Sequence, residues 1–597
     1  MLSVFTLTGC GLTLDEVLAE DGAVATIDAS APDAGSGAAD GGRPRDAGAS
    51  SMDASLPGDD AGIPDAAAFD ARCSDLDDDG VTDCAGDCDD SDPTVHPGAP
   101  LICGDEVNNG CEGDAEESAC LGLGTYVAPR GSNTNPGTRE LPLQSVAQGL
   151  SNASRIGGGV DVYVAEGHYS EDVTMVESHS ILCGYESGSW TRDPETFVTE
   201  LASGRVQGVT FPSGLTNLTV LEGCRILGRS GVGESSAVTF SLGASGVLRE
   251  NTIVAPDNDS GVSVGVAVYP AGAGDGAPNN PGTPVIEGNT VQLGRSRGGW
   301  SATSTSVGIV STRTLIVVDG NDLTFADNRS IQRAIEVRNG LPGSIVVANL
   351  VRPGSGRAEH AYGLRVLSGS VEVTQNDIYA GASDGWAVGV EIAGNLGRVS
   401  VTNNQLFGGE SETNLSAALL FSGEGVPSTA PDVLVHSNLI IGGAVGQPAA
   451  GIAWFGETMT PFAVGRIMNN IVHAGGGPLG YAMWERSTTL DPERLEGNAL
   501  WAPLSTGGSI RAALYYDEGS SGLARISAVN ALTEHAGVDS VAYDCAVLDP
   551  RPGGDPHLSS TSACIDIGTT SEAPPIDWDG EVRPRGRGTD IGVDEAR

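Results

Sequence analysis

One spacing recurs along the middle of the chain: an aliphatic residue, two spacers, an asparagine, one spacer and a second aliphatic residue. Between residues 220 and 500 the asparagine position is occupied in turn by Cys224, Asn251, Asn289, Asn321, Asn349, Asn376, Asn404, Asn438, Asn470 and Asn498. The residue three before this position and the residue two after it are Leu, Ile or Val in every repeat. Successive positions are 27 to 38 residues apart. This period indicates a repeat protein in which each unit stacks on the next.

A second apolar segment lies between successive asparagines and follows a small residue. Examples are Gly308-Ile309-Val310, Gly363-Leu364-Arg365-Val366 and Gly389-Val390-Glu391-Ile392. Two short strands and room for a third predict a triangular coil, with equivalent strands stacked about 4.8 Å apart. Asparagine tolerates the left-handed backbone of a tight bend, and its amides can form a ladder between coils. Leucine-rich repeats are shorter, and helical solenoids need helix-forming runs that this region lacks.

The sequence therefore predicts an all-β fold, a right-handed single-stranded parallel β-helix. The prediction requires Val318, Val346 and Val373 to share one continuous internal file, because each stands three residues before an asparagine. We expect the β-helix to span 121–515 and a C-terminal capping region to span 516–597. Separate environments for the three valines would contradict this architecture.

Both ends of the predicted β-helix resemble known proteins. The opening contains Tyr126-Val127-Ala128-Pro129, Asn135-Pro136-Gly137-Thr138, an amphipathic stretch near 141–153, and Val162-Tyr163-Val164-Ala165 followed by Gly167-His168-Tyr169. It resembles the first coil of pectate-lyase-like right-handed β-helix proteins, which implies a short helix over the open end of the core. The end contains Asp566-Ile567-Gly568, Asp577, Gly580, Arg583-Pro584 and Asp590-Ile591-Gly592-Val593-Asp594-Glu595. It resembles the tail of bacterial choice-of-anchor β-helix proteins. These resemblances specify a fold and leave the activity open, because one fold hosts many functions.

The first ten residues end in Leu7-Thr8-Gly9-Cys10. This tetrad resembles the lipobox of bacterial lipoproteins, which implies a truncated signal segment over 1–10 and lipidation of Cys10. Because Gly11 and not aspartate follows the cysteine, we expect an outer-membrane or cell-surface location. Residues 11–70 are rich in Ala, Asp, Gly and Pro, and they are predicted to be a disordered linker that cannot offset its ordering entropy. No run of 18 apolar residues is present, so no transmembrane helix is predicted.

The eleven cysteines fall into separate groups. Six lie in one short segment: Cys73, Cys84, Cys88, Cys103, Cys111 and Cys120. With Cys10 reserved for lipid, the even number that remains predicts disulfides and an oxidising, extracytoplasmic location. The clustered six allow fifteen pairings, and the sequence does not select one. Cys545 with Cys564 is the preferred C-terminal bridge, whereas Cys183 with Cys224 requires that their two coils be adjacent.

Residues 75 to 83 have the D-x-D-x-D-G-x-x-D spacing of a calcium-binding loop. The expected Ca²⁺ ligands are Asp75, Asp77, Asp79, the carbonyl of Val81, and Asp83, completed by Asp87 or Asp89. Gly86 occupies the position of the bidentate glutamate of an EF-hand, so the loop is not a complete EF-hand. Residues 71–120 resemble an Asp- and Cys-rich metal-binding motif of myxobacterial surface proteins, which implies structural Ca²⁺ in a short disulfide-linked module. The alternative is a solvated acidic turn.

The charge balance excludes several functions. The chain has 78 Asp and Glu against 31 Lys and Arg, a formal net charge of −47, and all of these basic residues are arginine. Such a field repels nucleic acid and anionic lipid, and it disfavours polyanionic polysaccharides unless Ca²⁺ intervenes. Membrane contact is therefore expected only through the N-terminal lipid, and a monomer is expected. Without lysine, Schiff-base chemistry is excluded.

No catalytic constellation and no organic cofactor site emerge from the repeats. Asp322 and Asp377 follow ladder asparagines two coils apart, which places them about 9.6 Å apart, at the wide edge of an inverting glycosidase pair. Solvated turn acids are the favoured interpretation. His436 and His473 are expected to be surface residues, because they occupy different repeat positions. Glu391 and Arg365 are expected to form an exposed pair on an outer face.

Three functions are compatible with these observations. The favoured hypothesis is a lipid-anchored, non-catalytic surface protein that binds glycan or another cell-surface component along its long face. The alternative is a Ca²⁺-assisted polysaccharide lyase or glycoside hydrolase with a divergent site. A passive spacer or adhesin stalk differs from the first hypothesis only in having no specific ligand.

Overall fold

A computed structural model of the protein describes residues 124–596, with gaps at 158, 203, 205–206, 259–260, 271–281, 297–303, 328, 424–430, 444–447, 457–461, 477–478, 488, 503–510, 518–521, 533–535 and 543. Before residue 124 it describes 77, 81–82, 85–89, 92–93, 95–97, 99 and 110–111. The predicted lipidation site, the predicted linker and four of the clustered cysteines lie outside the described residues: Cys10, 11–70, Cys73, Cys84, Cys103 and Cys120. The chain divides into two units, residues 1–101 with 107–113 and residues 102–106 with 114–597.

Three strands per coil form the larger unit, and equivalent strands of successive coils pair in parallel. Sheet A precedes each asparagine and contains Thr125–Val127, Val162–Ala165, Ile181–Tyr185, Val220–Glu222, Gly246–Arg249, Pro284–Glu287, Val317–Asp319, Ile345–Val347, Asp432–His436, Arg466–Met468 and Ala536–Val541. Sheet B follows the asparagine and contains Gly167–Ser170, Thr199–Ala202, Arg225–Leu227, Thr252–Val254, Thr290–Gln292, Asp322–Thr324, Leu350–Arg352, Asp377–Tyr379, Gln405–Phe407, Leu439–Ile441 and Ile471–His473. The strand Arg494–Trp501 belongs first to sheet A and then to sheet B.

Sheet C closes the triangle. It contains Gln207–Phe211, Ser235–Phe240, Val262–Val268, Thr305–Thr312, Ile331–Gly340, Ser416–Ser422, Ala449–Phe455, Leu479–Glu485 and Arg511–Tyr516. The long strands His360–Thr374 and Ala387–Thr402 begin in sheet C and continue into sheet A of the next coil. Short peripheral strands are Arg357–Ala358, Ala382–Ser383, Glu410–Ser411, Phe462–Ala463 and Leu490–Asp491. The described helices are Val146–Ile156 and Ile526–Val529, and no described helix is long and apolar enough to cross a bilayer.

The aliphatic repeat positions form continuous internal files. Val318 pairs in register with Val346, and Val346 pairs with Val373, and all three side chains are fully buried. The residues two after each asparagine form a second file in sheet B, as in the pairs Leu323 with Val351 and Val351 with Ile378. The predicted all-β parallel β-solenoid is therefore confirmed. The stacked aliphatic files provide the continuous core that one coil alone cannot build.

The buried asparagines form the predicted ladder along one corner. The backbone N–H of Asn321 donates to Oδ1 of Asn349 at 3.0 Å, and that of Asn349 donates to Oδ1 of Asn376 at 2.9 Å. The left-handed residue at this bend is not the asparagine, however, but the residue before it, such as Ala348 with φ of 53°. The prediction of a left-handed asparagine was therefore wrong. The asparagine side chain bridges carbonyl groups inside the corner, so its own backbone need not turn there.

The small residues of sheet C were predicted to precede the strands. They lie within the strands instead. Gly363 lies inside the strand His360–Thr374. A Cβ atom there would lie 2.2 Å from Cγ2 of Ile378 and 2.6 Å from the carbonyl oxygen of Gly389. The small residue thus lets the strand bend over the core without a clash.

The helix Val146–Ile156 covers the first coil, as the resemblance implied. Ser145 caps its N-terminus through a hydrogen bond from the backbone N–H of Gln148 to Oγ. Val146, Leu150 and Ala153 belong to the same buried core as Val127 of the first strand. Further along, a disulfide joins Cys183, in the strand Ile181–Tyr185, to Cys224, which follows the paired strand Val220–Glu222 of the adjacent coil, so the geometric condition stated for this pair is met.

The C-terminal segment, residues 545–596, follows the corner that carries the left-handed residues. The side chain of Asn469 exchanges two hydrogen bonds with the backbone of Thr569. One and two coils earlier, His436 donates to the carbonyl of Ser571, and Asn403 donates to the carbonyl of Ile576. The Cys545–Cys564 disulfide lies within this segment. Side-chain amides of the corner therefore bind the tail through its backbone.

Candidate functional site

The outer face of sheet C carries a group of charged and aromatic side chains on successive coils. Leu364 belongs to the internal file, so its neighbour Arg365 points to the opposite face. Glu336 and Glu391 flank Arg365 in register on the coils before and after. The repeat thus aligns a Glu–Arg–Glu row across three coils.

Glu336 is the centre of a buried charge network. Its carboxylate lies 3.1 Å from the guanidinium groups of both Arg333 and Arg338, and 3.6 Å from that of Arg365. Arg365 also contacts Glu391 at 2.5 Å and lies over the ring of Tyr362, with 4.8 Å from Cζ to the ring centroid. The expectation of an exposed Arg365–Glu391 pair was wrong. Tyr362 and the neighbouring arginines exclude water from the row.

The electrostatics of the network keep its charges fixed near neutral pH. Burial would raise the pKa of Glu336, but the charges of Arg333, Arg365 and Arg338 outweigh it and lower the pKa to about 2. Burial would likewise lower the pKa of Arg365, but Glu391 and Glu336 raise it. Burial, with Arg333 and Arg365, lowers the pKa of His360 to about 4. These groups therefore do not exchange protons at neutral pH, which general acid–base catalysis would require.

An aromatic patch continues the same face toward the C-terminal coils. We define it by Trp386, Phe455, Tyr481, Trp484 and Tyr516. Trp386 packs edge-on against Phe455 with ring centroids 5.0 Å apart, and Phe455 is 6.4 Å from Trp484. Tyr481 links Trp484 to Tyr516, with centroids 5.4 and 5.3 Å away. All except Tyr481 are partly exposed.

The aromatic patch and the charge network share one register. Trp484 occupies the register position that Glu391 holds three coils earlier, with Leu420 and Ala453 between them. The guanidinium of Arg486 lies over the ring of Phe455, 4.4 Å from Cζ to the centroid. The partly exposed rings of Phe455, Trp484 and Tyr516 lie on successive coils and form a ledge with apolar faces and polar edges, which suits a ligand that alternates C–H and hydroxyl groups. Sequence reasoning missed these residues, although the repeat aligns two of them, Trp484 and Tyr516, in register on adjacent coils.

The two carboxylates considered for catalysis are not equivalent in the structure. Asp322 is half-buried and pairs with Arg352 at 3.1 Å. Asp377 is 8 % exposed, and its Oδ2 accepts a hydrogen bond from the backbone of Gly553 at 2.7 Å. Burial raises the pKa of Asp377 to about 6. The interpretation of Asp377 as a solvated turn acid was wrong, because the C-terminal segment covers it.

The two histidines are likewise not simple surface residues. His436 is fully buried between Ser437 and the carbonyl of Ser571. His473 is half-buried, and burial lowers its pKa. The burial of His436 could not be inferred from the repeat, because Ser571, which covers it, belongs to the distant C-terminal segment.

The predicted calcium loop is only partly within the described residues. Asp75, Asp79 and Asp83 lie outside them, and Asp77, Val81, Asp87 and Asp89 lie within them. Oδ1 of Asp87 accepts the backbone N–H of Asp89 at 2.9 Å, while Oδ2 is buried and has no hydrogen-bond partner among the described residues. Cys88 and Cys111 of this unit form a disulfide. A buried carboxylate oxygen that lacks a donor fits a cation ligand.

Comparisons with protein-family models and with curated proteins find no match. Among solved structures, the crystal structure of pectate lyase Pel9A is similar at 12 % sequence identity. The match covers 80 % of this chain and 98 % of that chain, with a TM-score of 0.33. The assignment of a parallel β-solenoid rests on the strand register described above and not on this likeness.

Proposed function

We propose that this protein is a non-catalytic, extracytoplasmic binding protein that holds a neutral glycan chain along the outer face of sheet C. The observation that carries the proposal is the aromatic patch, in which the partly exposed rings of Phe455, Trp484 and Tyr516 lie on successive coils, beside a charge network with fixed protonation. A glycan chain offers repeated apolar C–H faces for the rings and hydroxyl groups for the polar edges. The stacked coils match a repeating ligand with a repeating surface.

The charge of the protein supports a neutral ligand. A net charge of −47 repels uronate or sulfated chains at long range. The arginines at the centre of the face are already paired with Glu336 and Glu391, so they offer little free positive charge to an anionic sugar. Neutral polysaccharides are therefore the ligand class favoured here.

The remaining features form part of the same proposal. The Cys88–Cys111, Cys183–Cys224 and Cys545–Cys564 disulfides support an oxidising compartment. A lipid on Cys10 would hold the protein at a membrane surface, with residues 11–70 as a tether. Ca²⁺ bound by Asp75, Asp77, Asp79, Val81 and Asp83, with Asp87 or Asp89, would replace the core that this short segment cannot build. Oδ2 of Asp87, which is buried and has no hydrogen-bond partner among the described residues, supports this assignment.

A glycan array tests the proposal directly. The full chain is applied in Ca²⁺ buffer to neutral and anionic polysaccharides, and the affinity for each binder is then measured with the variants Trp484→Ala and Phe455→Ala. Each variant is expected to bind about tenfold more weakly, or about 1.4 kcal/mol. Tyr379→Ala is the matched control, because Tyr379 is a partly exposed ring on sheet B. Equal binding by all three variants would contradict the assignment of this face.

The same samples distinguish the binding protein from the enzymatic alternative by the products that they release. A lyase releases unsaturated products, and a hydrolase releases new reducing ends, whereas a binding protein releases neither. Product formation that stops when Ca²⁺ is removed would replace the proposal by the Ca²⁺-assisted alternative. Binding without either product over prolonged incubation would support the proposal.

A further inference from the structure

The C-terminal segment brings three separate stretches of chain to one point outside the glycan-binding face. An antiparallel bridge joins Val547 to Leu558, a second joins Ile576 to Val582, and the Cys545–Cys564 disulfide closes the first stretch. These links place His557, Asp579 and Asp594 together although they are distant in sequence. One ligand atom from each lies within 4.8 Å of the other two.

We propose that His557, Asp579 and Asp594 form a binding site for a divalent transition metal of the Zn²⁺ type. Nε2 of His557 lies 2.5 Å from Oδ2 of Asp579. One imidazole nitrogen and two carboxylate oxygens are a donor set that Zn²⁺ accepts, with a fourth position left for water. Because ligand atoms on a tetrahedral Zn²⁺ at about 2.0–2.2 Å lie about 3.3–3.5 Å from one another, Nε2 of His557 and Oδ2 of Asp579 would separate by roughly 1 Å to admit the ion.

Side chains around the three ligands hold them in place, as expected for a metal site. Oδ1 of Asp555 contacts Nδ1 of His557 and so orients the ring with Nε2 toward the two aspartates. Oδ2 of Asp594, which is 4 % exposed, accepts the backbone N–H of Leu558 at 3.0 Å. The carboxylate–imidazole contact on the far nitrogen is the arrangement that fixes a metal-binding histidine in many metal centres.

A buried carboxylate ties the two aspartate ligands to one another. Asp577 is fully buried, and its Oδ1 accepts the backbone N–H groups of Asp579 at 3.0 Å and Glu581 at 2.7 Å. Its Oδ2 accepts the N–H of Glu595, the residue after Asp594, at 3.2 Å. Both ligand-bearing loops are thus fixed by one side chain, so little reorganisation is needed when a cation enters.

The charge around this point also favours a cation. Asp555, Asp579 and Asp594 lie around the imidazole of His557, and the guanidinium of Arg583 is paired with Glu595 at 2.8 Å. A divalent cation would compensate carboxylates that one histidine cannot balance. Bound there, it would join the three stretches of the tail that lies along the solenoid corner.

The test titrates Zn²⁺ into the full chain, with excess Ca²⁺ present to occupy the N-terminal loop. Isothermal titration is expected to show a site that weakens more than tenfold in both His557→Gln and Asp579→Asn. His168→Gln is the matched control, because His168 is an exposed histidine that contacts a single carboxylate, Glu200, at 2.7 Å. Unchanged Zn²⁺ affinity in His557→Gln and Asp579→Asn would overturn the proposal.

A second measurement on the unmodified protein does not depend on the folding of any variant. X-ray absorption of the Zn²⁺-loaded chain is expected to show nitrogen and oxygen ligands, including one imidazole. A sulfur-dominated shell would place the metal on free cysteines and overturn the assignment, as would the absence of bound Zn²⁺ at micromolar concentration. Neither readout depends on glycan binding, so this proposal and the proposed function can fail independently.

Discussion

Nε of Arg365 lies 2.5 Å from Oε2 of Glu391 on the next coil, and each side chain is only 7 % exposed. The same guanidinium contacts Glu336 of the preceding coil at 3.6 Å, so three coils are linked through one buried arginine. A buried ion pair contributes little net stability compared with apolar residues, because desolvation offsets the Coulomb attraction. Removing only one partner of the pair is strongly destabilising, because the other charge is then left buried without compensation.

Glu336→Gln is expected to destabilise the solenoid by about 3–5 kcal/mol. The substitution keeps the shape of the side chain but leaves Arg333, Arg338 and Arg365 without their shared carboxylate. The measurement is the urea unfolding midpoint followed by circular dichroism. Glu410→Gln serves as control, because Glu410 is about half exposed and its contact with Arg357 is 3.7 Å long. Similar midpoints for the two variants would contradict this account of the network.

The low pKa of Glu336 predicts that the folded chain loses stability in acid. Because the pKa of Glu336 is about 2 in the folded chain and 4.5 as its ordinary value, the folded state binds the proton more weakly than the unfolded state. Its contribution is therefore complete above pH 4.5 and is lost as the pH falls toward 2, by about 3 kcal/mol. Unfolding midpoints measured across this range should fall more steeply in the wild type than in Glu336→Gln. Parallel curves would show that Glu336 is not the group responsible.

The lowered pKa of His436 predicts a second loss of stability, which begins at a higher pH. Burial, opposed by the hydrogen bond to the carbonyl of Ser571 and reinforced by Arg583, lowers its pKa from 6.5 to about 4. The unfolded chain therefore takes up a proton first, and stability falls as the pH drops from 6.5 to 4, by about 3 kcal/mol. His436→Gln should flatten the stability curve in this window, whereas the exposed-site variant His168→Gln should leave it unchanged. A curve for His436→Gln that keeps the wild-type slope would contradict the burial of a neutral imidazole.

The repeat itself made the solenoid predictable from sequence. Val318, Val346 and Val373 share a spacing to asparagine, and that spacing can be satisfied in every repeat only if equivalent residues stack. The left-handed residue was assigned one position too late, although glycine or asparagine directly precedes the ladder residue in six of the ten repeats and tolerates that conformation. Only the hydrogen bonds of Asn349 to three oxygen atoms show why the residue before it must turn.

The surroundings of the individual carboxylates and histidines were much less predictable, because they include residues distant in sequence. The burial of Asp377 depends on Gly553, and that of His436 depends on Ser571. Neither partner belongs to the repeat, so no periodic pattern connects them. The repeat did align Arg365 with Glu391 and could have added Glu336 to the row, but the burial of the row could not be predicted, because charged residues usually face water.

The asparagine ladder gives the most specific test of the architecture. Nδ2 of Asn349 donates to the carbonyl oxygens of Val318 at 2.8 Å and Val347 at 2.7 Å, and to Oδ1 of Asn376 at 3.0 Å. Asn349→Asp replaces this donor by a carboxylate oxygen that faces three acceptors in a buried corner. The expected loss is about 3–5 kcal/mol in the free energy of unfolding, measured by urea denaturation.

The exposed Asn395→Asp has the same chemical change and should alter the free energy of unfolding by less than about 0.5 kcal/mol. Hydrogen exchange shows which backbone amides lose protection as well as how much protection they lose. Because the new carboxylate repels Oδ1 of Asn376, which accepts the backbone N–H at position 349, protection should fall first at that N–H. Uniform loss of protection over the solenoid would instead mean that the coils unfold as one cooperative unit and that the ladder is not locally separable.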